Sequence, residues 1–327
     1  LSAGHEEYVM GQQTNRMSWV LLVLAGLIWG GMFPVAKVVL HSVDAVTTTA
    51  IRYGFGSLML LAVLAAVEGR AALATEGRVR RLLVYGTVGF AGFNILAYIG
   101  LAYSTAEHAA VIMAMQPMIA VLMNWLRNGQ RPAVFTLASV AVAFAGVFLV
   151  VTNGHPERAW QDGAAVGDLL MLAAALCWVT YTLGAADFPH WSPLRYTGLS
   201  GALGTLSIMA VLGVSVLVGA VRLPALATVA GLGWEFTYLV VLGAVVAVLS
   251  WNTGIKAVGP VNGVLFINLV PVVAFLIGVA QGHAFGRAEV LGAALVIAAL
   301  LANNLYGRWR RAPVPAPRNE AVLCEEV

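Results

Sequence analysis

The sequence predicts an all-α membrane protein with ten transmembrane helices, arranged as two inverted repeats of five helices. Three observations support this fold class: the composition, the length of the apolar runs and the distribution of the basic residues. Of the 327 residues, 60% are hydrophobic and 10% are charged, with a mean hydropathy of +0.86. Soluble domains carry roughly 25% charged residues. A chain this apolar would expose large hydrophobic patches in water, whereas lipid solvates it.

Ten apolar runs are long enough to cross a bilayer as helices. A transmembrane helix needs roughly 20 apolar residues to span a hydrocarbon core of about 30 Å. The runs are continuously apolar and lack the alternation of β-barrel strands, which favours helices. They lie at residues 18–40, 46–67, 82–102, 105–126, 132–152, 167–186, 194–220, 236–257, 260–281 and 287–306.

Basic residues in the connecting loops predict the direction of these helices, because Lys and Arg are enriched in cytoplasmic loops. With the N-terminus in the cytoplasm, 13 of the 18 Lys and Arg residues fall on the inside. Arg158, Arg222 and Arg287 fall outside, and Lys37 and Arg52 lie at or within the ends of spans. We therefore expect a multi-pass protein of the bacterial inner membrane with both termini in the cytoplasm.

The two ends of the chain differ in composition from the apolar body. Residues 1–16 form a polar segment that lacks the basic-then-apolar order of a signal peptide. Residues 312–327 contain three prolines and three glutamates, and we expect them to be disordered. Between these segments we expect two repeats, at 17–153 and 166–309, each with five spans.

An internal duplication relates the two halves. Trp29 aligns with Trp178 at an offset of 149 residues, and Pro117 aligns with Pro271 at an offset of 154. The second offset also pairs two glycines of each half, Gly89 with Gly243 and Gly100 with Gly254. Because five is an odd number of spans, the second repeat enters the membrane from the opposite side. Inverted repeats of this kind are typical of transporters, with the substrate site near the midplane between the halves.

Several short motifs occur in an order that resembles a known family. Residues 29–37 read W-G-G-M-F-P-V-A-K, similar to a W-G-x-x-F-x-x-x-K motif at the end of the first span. Residues 51–53 resemble an Arg-plus-aromatic position, and 116–117 and 270–271 resemble mid-span prolines. Over residues 17–310 the chain resembles the drug/metabolite transporter superfamily in its EamA-type branch, and within it the YddG-like aromatic amino-acid exporters.

The resemblance implies paired five-helix repeats and an export function. The sequence departs from the family pattern after the fourth and ninth spans, where an acidic residue is usual. There it reads N-G-Q-R at 128–131 and Q-G-H at 281–283.

Polar and aromatic side chains deep in the apolar runs are the candidate substrate-binding residues, because such groups are costly in lipid unless they face protein or water. Asn94 and Tyr98, spaced i, i+4, share one face of the third span, and Asn252 is the repeat partner of Tyr98. A cavity lined by such groups is mostly apolar, with a few hydrogen bonds that orient the ligand. The predicted set is Trp178, Tyr98, Asn252, Asn94, Tyr181, Trp251, Ser250, Asn268 and Met115.

Pro34, Pro117 and Pro271 are predicted hinge or gating positions, because proline removes a helix hydrogen bond and permits a kink. Plainer interpretations stay open for all these residues. Intramembrane Asn and Ser often only hydrogen-bond between helices, and Trp and Met often only fill the core. For the prolines the alternative is a static bend.

The predicted function is export of small amphipathic metabolites, above all aromatic or hydrophobic amino acids, by alternating access through a central cavity. No Asp or Glu lies at the centre of a predicted span and no P-loop occurs, so we expect gradient-driven transport without an ATPase subunit. The expected partners are a small-molecule substrate and the lipid bilayer, and the expected state is a monomer. We expect no enzyme activity, cofactor, metal or nucleic acid.

Two alternatives belong to different classes. A sugar or nucleotide-sugar transporter would need basic residues deep in the cavity to bind phosphate, and only Lys37 and Arg52 come near. A membrane-embedded transferase would need a cluster of His, Asp and Glu at one membrane interface, and the sequence shows no such cluster.

Overall fold

The computed structural model describes residues 2–129, 131–155, 164–258, 266–267 and 269–310, and within these ranges every regular element is a helix. The helices, numbered here in chain order, are α1 Ser2–Leu40, α2 Ala45–Val67, α3 Val79–Tyr103, α4 Ala106–Ala114, α5 Gln116–Asn128, α6 Val134–Thr152, α7 Ala164–Gly184, α8 Pro193–Leu217, α9 Leu226–Gly231, α10 at 233–258, α11 Leu269–Ala280 and α12 Arg287–Arg310. Short 3₁₀ turns follow α2 at Arg70–Leu73 and α7 at Ala185–Asp187.

Eight of these helices are long and apolar enough to cross a membrane, and α4 with α5, bent by 41° between them, forms a ninth candidate. Helix α11 is also apolar but has only 12 residues, and part of the predicted ninth span, 260–281, lies outside the described residues. Elsewhere, apart from the start of α1, the predicted and observed helix ends differ by a few residues. The prediction of an all-helical membrane protein is therefore confirmed, whereas the count of ten spans stays a prediction.

Of the two terminal segments, the structure describes the N-terminal one but not the C-terminal tail. Helix α1 begins at Ser2, so residues 2–16 of the polar segment predicted at 1–16 extend the first apolar helix. The tail at 312–327, expected to be disordered, lies outside the described residues.

Capping residues explain where several helices begin and end. At the start of α2, Asp44 Oδ1 accepts hydrogen bonds from the amides of Val46 and Thr47, both at 2.9 Å. A side-chain oxygen at this position satisfies amides that have no partner within the helix. Helix α5 ends at Gly129, whose φ of 69° is the left-handed conformation that glycine adopts readily.

The helices of the two halves interleave in one bundle. Helix α3 packs against α7 in the same way that α10 packs against α1, and α5 packs against α7 as α11 packs against α1. Helix α2 pairs with α8, and α6 pairs with α12. If α1, α2, α3, α5 and α6 are matched with α7, α8, α10, α11 and α12, as the duplication suggests, each of these contacts maps onto another contact or onto itself.

Small residues permit the same close approach in both halves. The close contacts are those of Gly100 with Gly167 and Met171, and of Gly254 with Ser18 and Leu22. The 154-residue offset carries Gly100 onto Gly254, and the 149-residue offset carries Ser18 and Leu22 onto Gly167 and Met171, so the two sets of contacts correspond. A Cβ at either glycine would overlap the facing helix, so both crossings require glycine.

Helices α3 and α10 each contain a π-helical segment, at Thr87–Gly92 and at Tyr238–Val246. The 154-residue offset carries 87–92 onto 241–246, within the second segment. Helical turns of the π type are rare in proteins, and those that occur are often found at functional sites. Their presence at matching positions therefore indicates that α3 and α10 contribute to a functional site.

Contacts between loops define two ends of the bundle. At the first, called here the Lys37 end, Lys37 Nζ donates to the carbonyl oxygens of Leu101 and Ser104, and Ser104 Oγ donates to Asp168. Helices α1 and α3 therefore end where α4 and α7 begin.

At the opposite end, called here the Arg127 end, Arg127 forms an ion pair with Asp187 at 3.0 Å and Arg195 forms one with Glu76 at 2.7 Å. Hydrogen bonds from Trp191 and Arg195 lower the pKa of the exposed Glu76 carboxyl group. The alternation of helix direction agrees with the predicted topology for these helices, and the cytoplasmic location of the Arg127 end stays a prediction.

Candidate functional site

A cavity lies in the centre of the bundle, where helices of the first half meet those of the second. The cavity volume is about 90 Å³, and part of the surrounding space is continuous with the outside. Small-molecule sites have a mainly apolar wall. The aromatic and methionine side chains of the wall are Trp29, Met32, Phe33, Tyr53, Phe90, Phe93, Met113 and Trp178.

Irregular backbone meets at this wall from three places, two π turns and one bend between helices. Phe90 lies in the π turn of α3, Gly243 lies in the π turn of α10, and Met113 and Gln116 flank the bend between α4 and α5. Non-helical backbone at membrane depth is tolerated where it is buried in protein or lines a cavity. The departures from regular helix thus coincide with the cavity.

Arg52 is the charged side chain of the described wall, and it is 3% exposed. Its Nη1 donates to Asn94 Oδ1 at 3.0 Å and to the Tyr98 hydroxyl at 2.8 Å. Its Nη2 lies 3.0 Å from Met32 Sδ, and the guanidinium carbon lies 5.1 Å from the centre of the Tyr53 ring. Every one of these partners is neutral.

The charge of Arg52 is not neutralised by protein in the part of the chain that the structure describes. No acidic side chain there forms an ion pair with Arg52, and its buried Nε has no hydrogen-bond partner. Ionisable side chains inside a membrane are costly and are found where they serve function. Arg52 is therefore a functional candidate on physical grounds.

Trp178 presents one face of an aromatic cluster to the cavity. Its ring centre lies 5.0 Å from that of Phe93 and 5.2 Å from that of Tyr181. Tyr181 in turn stacks on Tyr196 at 4.9 Å, and the Tyr196 hydroxyl donates to the Tyr181 carbonyl at 2.8 Å. Tyr181 is thus a support behind Trp178, one layer away from the cavity.

The predicted substrate-binding residues occupy different layers. Trp178 lines the cavity, while Tyr98 and Asn94 lie behind Arg52 and hold its Nη1. Met115 is fully buried at the bend between α4 and α5, with its neighbours Met113 and Gln116 in the wall instead.

The predicted residues of α10 lie outside the described wall. Trp251 packs on the wall residue Trp29, with ring centres 5.3 Å apart, and Ser250 is buried. Asn252 has a buried Nδ2 without a hydrogen-bond partner in the described chain, and Asn268 falls outside the described residues. Direct substrate contact by the predicted set stays a prediction.

The three predicted hinge prolines have different surroundings. Pro34 lies inside α1, which continues through it without a break. Pro117 lies in the first turn of α5, directly after the 41° bend, and Pro271 is the third residue of α11. A proline-associated bend is therefore present at Pro117, and a hinge role stays a prediction for all three.

Arg52 does not belong to the substrate-binding set predicted from the sequence, in which it lies at or within the end of a span. It is the eighth residue of α2, about two turns inside an apolar helix. This position in the helix was itself an indication of function, because a charged side chain so far from the helix end needs a water-filled cavity or a polar partner. The aromatic wall residues Trp29 and Tyr53 were missed because the pattern does not separate a cavity wall from ordinary packing.

A second group of polar side chains lies at the Lys37 end, away from the cavity. His108 Nδ1 lies 3.1 Å from Asp168 Oδ2, and His108 Nε2 lies 3.7 Å from Glu289 Oε1. Nearby, Glu107 Oε1 lies 3.7 Å from His283 Nδ1. The expectation that His, Asp and Glu do not cluster was therefore wrong, because α4, α7 and α12 bring together residues far apart in sequence. Among the described residues no group of three or more His, Cys, Asp or Glu is arranged to hold a metal ion.

Comparison with known proteins agrees with a transport function. The EamA-like transporter family matches residues 16–152 and again residues 165–305. The uncharacterized transporter YrdR of Bacillus subtilis is 32% identical over 290 residues, which cover 88% of this chain and 90% of that protein. A probable terminal-alkyne amino-acid exporter of Streptantibioticus cattleyicolor is 27% identical over 326 residues, covering 93% of this chain and 99% of that protein.

A more distant relative and a solved structure extend the comparison. The uncharacterized inner membrane transporter YedA of Escherichia coli is 22% identical over 301 residues, covering 89% of this chain and 92% of that protein. A crystal structure with 20% identity covers 90% of this chain and 99% of its own, with a TM-score of 0.64, which shows a shared fold. The names of these relatives indicate a transporter rather than an enzyme. The chain is a multi-pass membrane protein of the EamA-like transporter family, within the drug/metabolite transporter superfamily.

Proposed function

We propose that this protein exports small amphipathic metabolites across the bacterial inner membrane, above all aromatic or hydrophobic amino acids. The observation that carries this proposal is the central cavity with its wall of aromatic and methionine side chains. Such side chains bind apolar groups through stacking and dispersion. The similarity to a probable amino-acid exporter of Streptantibioticus cattleyicolor supports the same class of substrate.

The proposed mechanism is alternating access by two inverted five-helix repeats, which together form ten spans. The matching helix contacts, the paired glycine crossings and the paired π turns support this arrangement. In transporters built this way, one repeat rocks against the other around a central substrate site. The cavity lies at the junction on which such a movement would act.

We further propose that transport follows the substrate gradient. In the described part of the wall Arg52 is the charged group and no carboxylate is present to carry a proton. The carboxylates Glu107, Asp168 and Glu289 lie at the Lys37 end and form contacts with histidines there. Proton movement through the cavity therefore has no acidic residue on which to depend among the described wall residues.

Counterflow in liposomes tests both proposals. Liposomes containing the purified protein are loaded with unlabelled phenylalanine and supplied outside with labelled phenylalanine, without a pH gradient or membrane potential. We expect accumulation of label above that in protein-free liposomes, and less accumulation when the lumen is loaded with glucose instead. Transport that occurs only with an imposed proton gradient would contradict the gradient-driven mechanism, and transport of sugars alone would contradict the substrate class.

A further inference from the structure

One edge of the Arg52 guanidinium has N–H donors that no oxygen acceptor of the described residues binds. Arginine has five N–H donors in a rigid planar fork. Among the described residues, Nη1 donates to Asn94 and Tyr98, while Nη2 contacts Met32 Sδ, a weak acceptor, and Nε has no hydrogen-bond partner. The edge formed by Nε and Nη2 is one of those that bind a carboxylate through two parallel hydrogen bonds.

The electrostatics of the site favour an anion. Arg52 is 3% exposed, and the described chain supplies neutral partners but no acid in hydrogen-bond range. A buried cation without a counter-ion is costly, and an arriving anion that accepts its hydrogen bonds recovers part of that cost. The protein therefore provides a fixed charge and leaves the opposite charge to another molecule.

A glycine of the second half lies beside this edge. Gly243 lies in the π turn of α10, and a Cβ there would stand 3.7 Å from Arg52 Nη2 and 3.8 Å from Met32 Sδ, which is ordinary van der Waals contact. Trp29 Nε1 donates to the Gly243 carbonyl at 3.2 Å and so holds this segment in place. The guanidinium therefore lies directly against the π turn of α10.

The remainder of the cavity is mainly apolar, with Phe93 and Trp178 in the wall contributed by α3 and α7. A ligand that satisfies both regions has an anionic group for Arg52 and an apolar or aromatic group for the rest of the wall.

We propose that Arg52 binds the carboxylate of the transported substrate through its Nε–Nη2 edge, with Asn94 and Tyr98 as positioning residues that hold Nη1. This inference rests on the proposed function, because it takes the cavity as the substrate path, and it narrows the substrates to amphipathic carboxylates. The amino group of an amino acid is not recognised by Arg52, so aromatic acids without it also bind, whereas aromatic amines lacking the carboxylate do not.

Three phenyl compounds separate these contributions in the unmodified protein. Phenylalanine carries both charges, 3-phenylpropionate only the carboxylate and phenethylamine only the amine. Each is tested for thermal stabilisation of the purified protein in detergent and for competition with labelled phenylalanine in counterflow. We expect phenylalanine and 3-phenylpropionate to bind and compete, and phenethylamine to do neither. Equal competition by phenethylamine and 3-phenylpropionate overturns the carboxylate site, and so does competition by inorganic phosphate without competition by 3-phenylpropionate.

Variants test the assignment to Arg52 itself. Arg52→Gln removes the charge and the fork, and we expect about a 10- to 100-fold loss of apparent affinity for both acids, the range for charge-assisted hydrogen bonds. Arg52→Lys retains the charge without the planar edge and should recover only part of that affinity. Arg127→Gln, which removes a cation at the Arg127 end, is the matched control and should leave affinity unchanged. An unchanged preference for acids over amines in Arg52→Gln overturns the assignment.

The two readouts distinguish this inference from the proposed export function. Binding of acids that depends on Arg52, without counterflow, supports the carboxylate site and contradicts amino-acid export. Counterflow of phenylalanine that does not depend on Arg52 supports export and contradicts the site. Should Arg52→Gln fail to fold, the comparison of acid with amine in the unmodified protein still decides the inference, and absence of both binding and transport contradicts both proposals.

Discussion

At the scale of single residues, the described cavity wall combines one charged side chain with a set of aromatic side chains. Arg52 is held by neutral partners on Nη1, which fixes its orientation without cancelling its charge. Trp178 is held by Phe93 and Tyr181, which fix the plane of its ring. Both cavity groups therefore have a supporting layer, the arrangement that pre-organises a binding site.

Trp178→Ala tests the apolar part of the site. Removing a buried aromatic surface costs about 1–3 kcal/mol, so we expect about a 5- to 150-fold loss of apparent affinity for phenylalanine. The loss should be smaller for a small aliphatic amino acid, which leaves part of the wall unfilled. Apparent affinities from counterflow in folded protein provide the measurement.

The control for this substitution is Trp234→Ala, because Trp234 is 68% exposed and lies outside the described cavity wall. We expect its affinities to match those of the unmodified protein. If Trp178→Ala keeps both affinities and instead lowers thermal stability, Trp178 is a packing residue and leaves the proposed site.

At the scale of helices, the polar group at the Lys37 end connects three elements that come from both halves. His108 belongs to α4, Asp168 to α7 and Glu289 to α12, and Ser104 adds a hydrogen bond to Asp168 from the end of α3. Every residue of α4 is buried, so this helix is fixed at one end by polar contacts and along its length by packing. These contacts must change in any movement that separates the helices at this end.

Asp168→Asn is expected to destabilise the bundle without changing substrate affinity. The carboxylate accepts from Ser104 and faces His108, and an amide replaces one of the two acceptor oxygens with a donor. Loss of buried hydrogen bonds to a charged group typically costs about 1–3 kcal/mol. A lower melting temperature in detergent, with an unchanged apparent affinity for phenylalanine, is the expected result.

Glu235→Gln provides the matched comparison, since Glu235 is the acidic residue in the first turn of α10 and lies outside this group. Its melting temperature should stay close to that of the unmodified protein. An altered affinity in Asp168→Asn would show that the polar group acts on the cavity, contrary to the separation seen in the structure.

The helices were predictable to the extent that hydrophobicity determines them. The ends of α1 and α2 follow from where apolar residues stop, whereas the bend before Pro117 and the π turns depend on contacts between helices that a linear pattern does not contain. The same limit applies to the site. Trp178 was recognisable as an intramembrane aromatic residue. Whether Tyr98 and Met115 line the cavity or lie behind its wall depends on the rotation of α3, and of the segment between α4 and α5, about the helix axes, and packing between helices sets that rotation.

At the scale of the whole molecule, the two ends of the bundle differ in charge. The Arg127 end carries Arg78, Arg127 and Arg195, which bind acidic side chains or carbonyl groups of neighbouring loops. Basic loops are typical of the cytoplasmic side. The Lys37 end, with its acids and histidines, is accordingly expected to face the periplasm.

Cysteine labelling tests this topology. Cys324 in the C-terminal tail should react with a membrane-impermeant maleimide only after the inner membrane is permeabilised. Arg222→Cys, combined with Cys324→Ser, places the probe in a loop predicted to lie outside and should react in intact spheroplasts. Reaction of Cys324 in intact spheroplasts would contradict both the cytoplasmic C-terminus and the ten-span count.

The paired π turns have a consequence for the faces that α3 and α10 present. An α-helix advances by about 100° per residue, so each extra residue accommodated in a π turn rotates the following segment relative to the preceding one. Before its π turn, α3 places Gly86 against α8; after it, Phe93 faces the cavity and Tyr98 reaches Arg52. The angular offset built into α3, and repeated in α10, thus changes which neighbours the residues before and after the turn can contact.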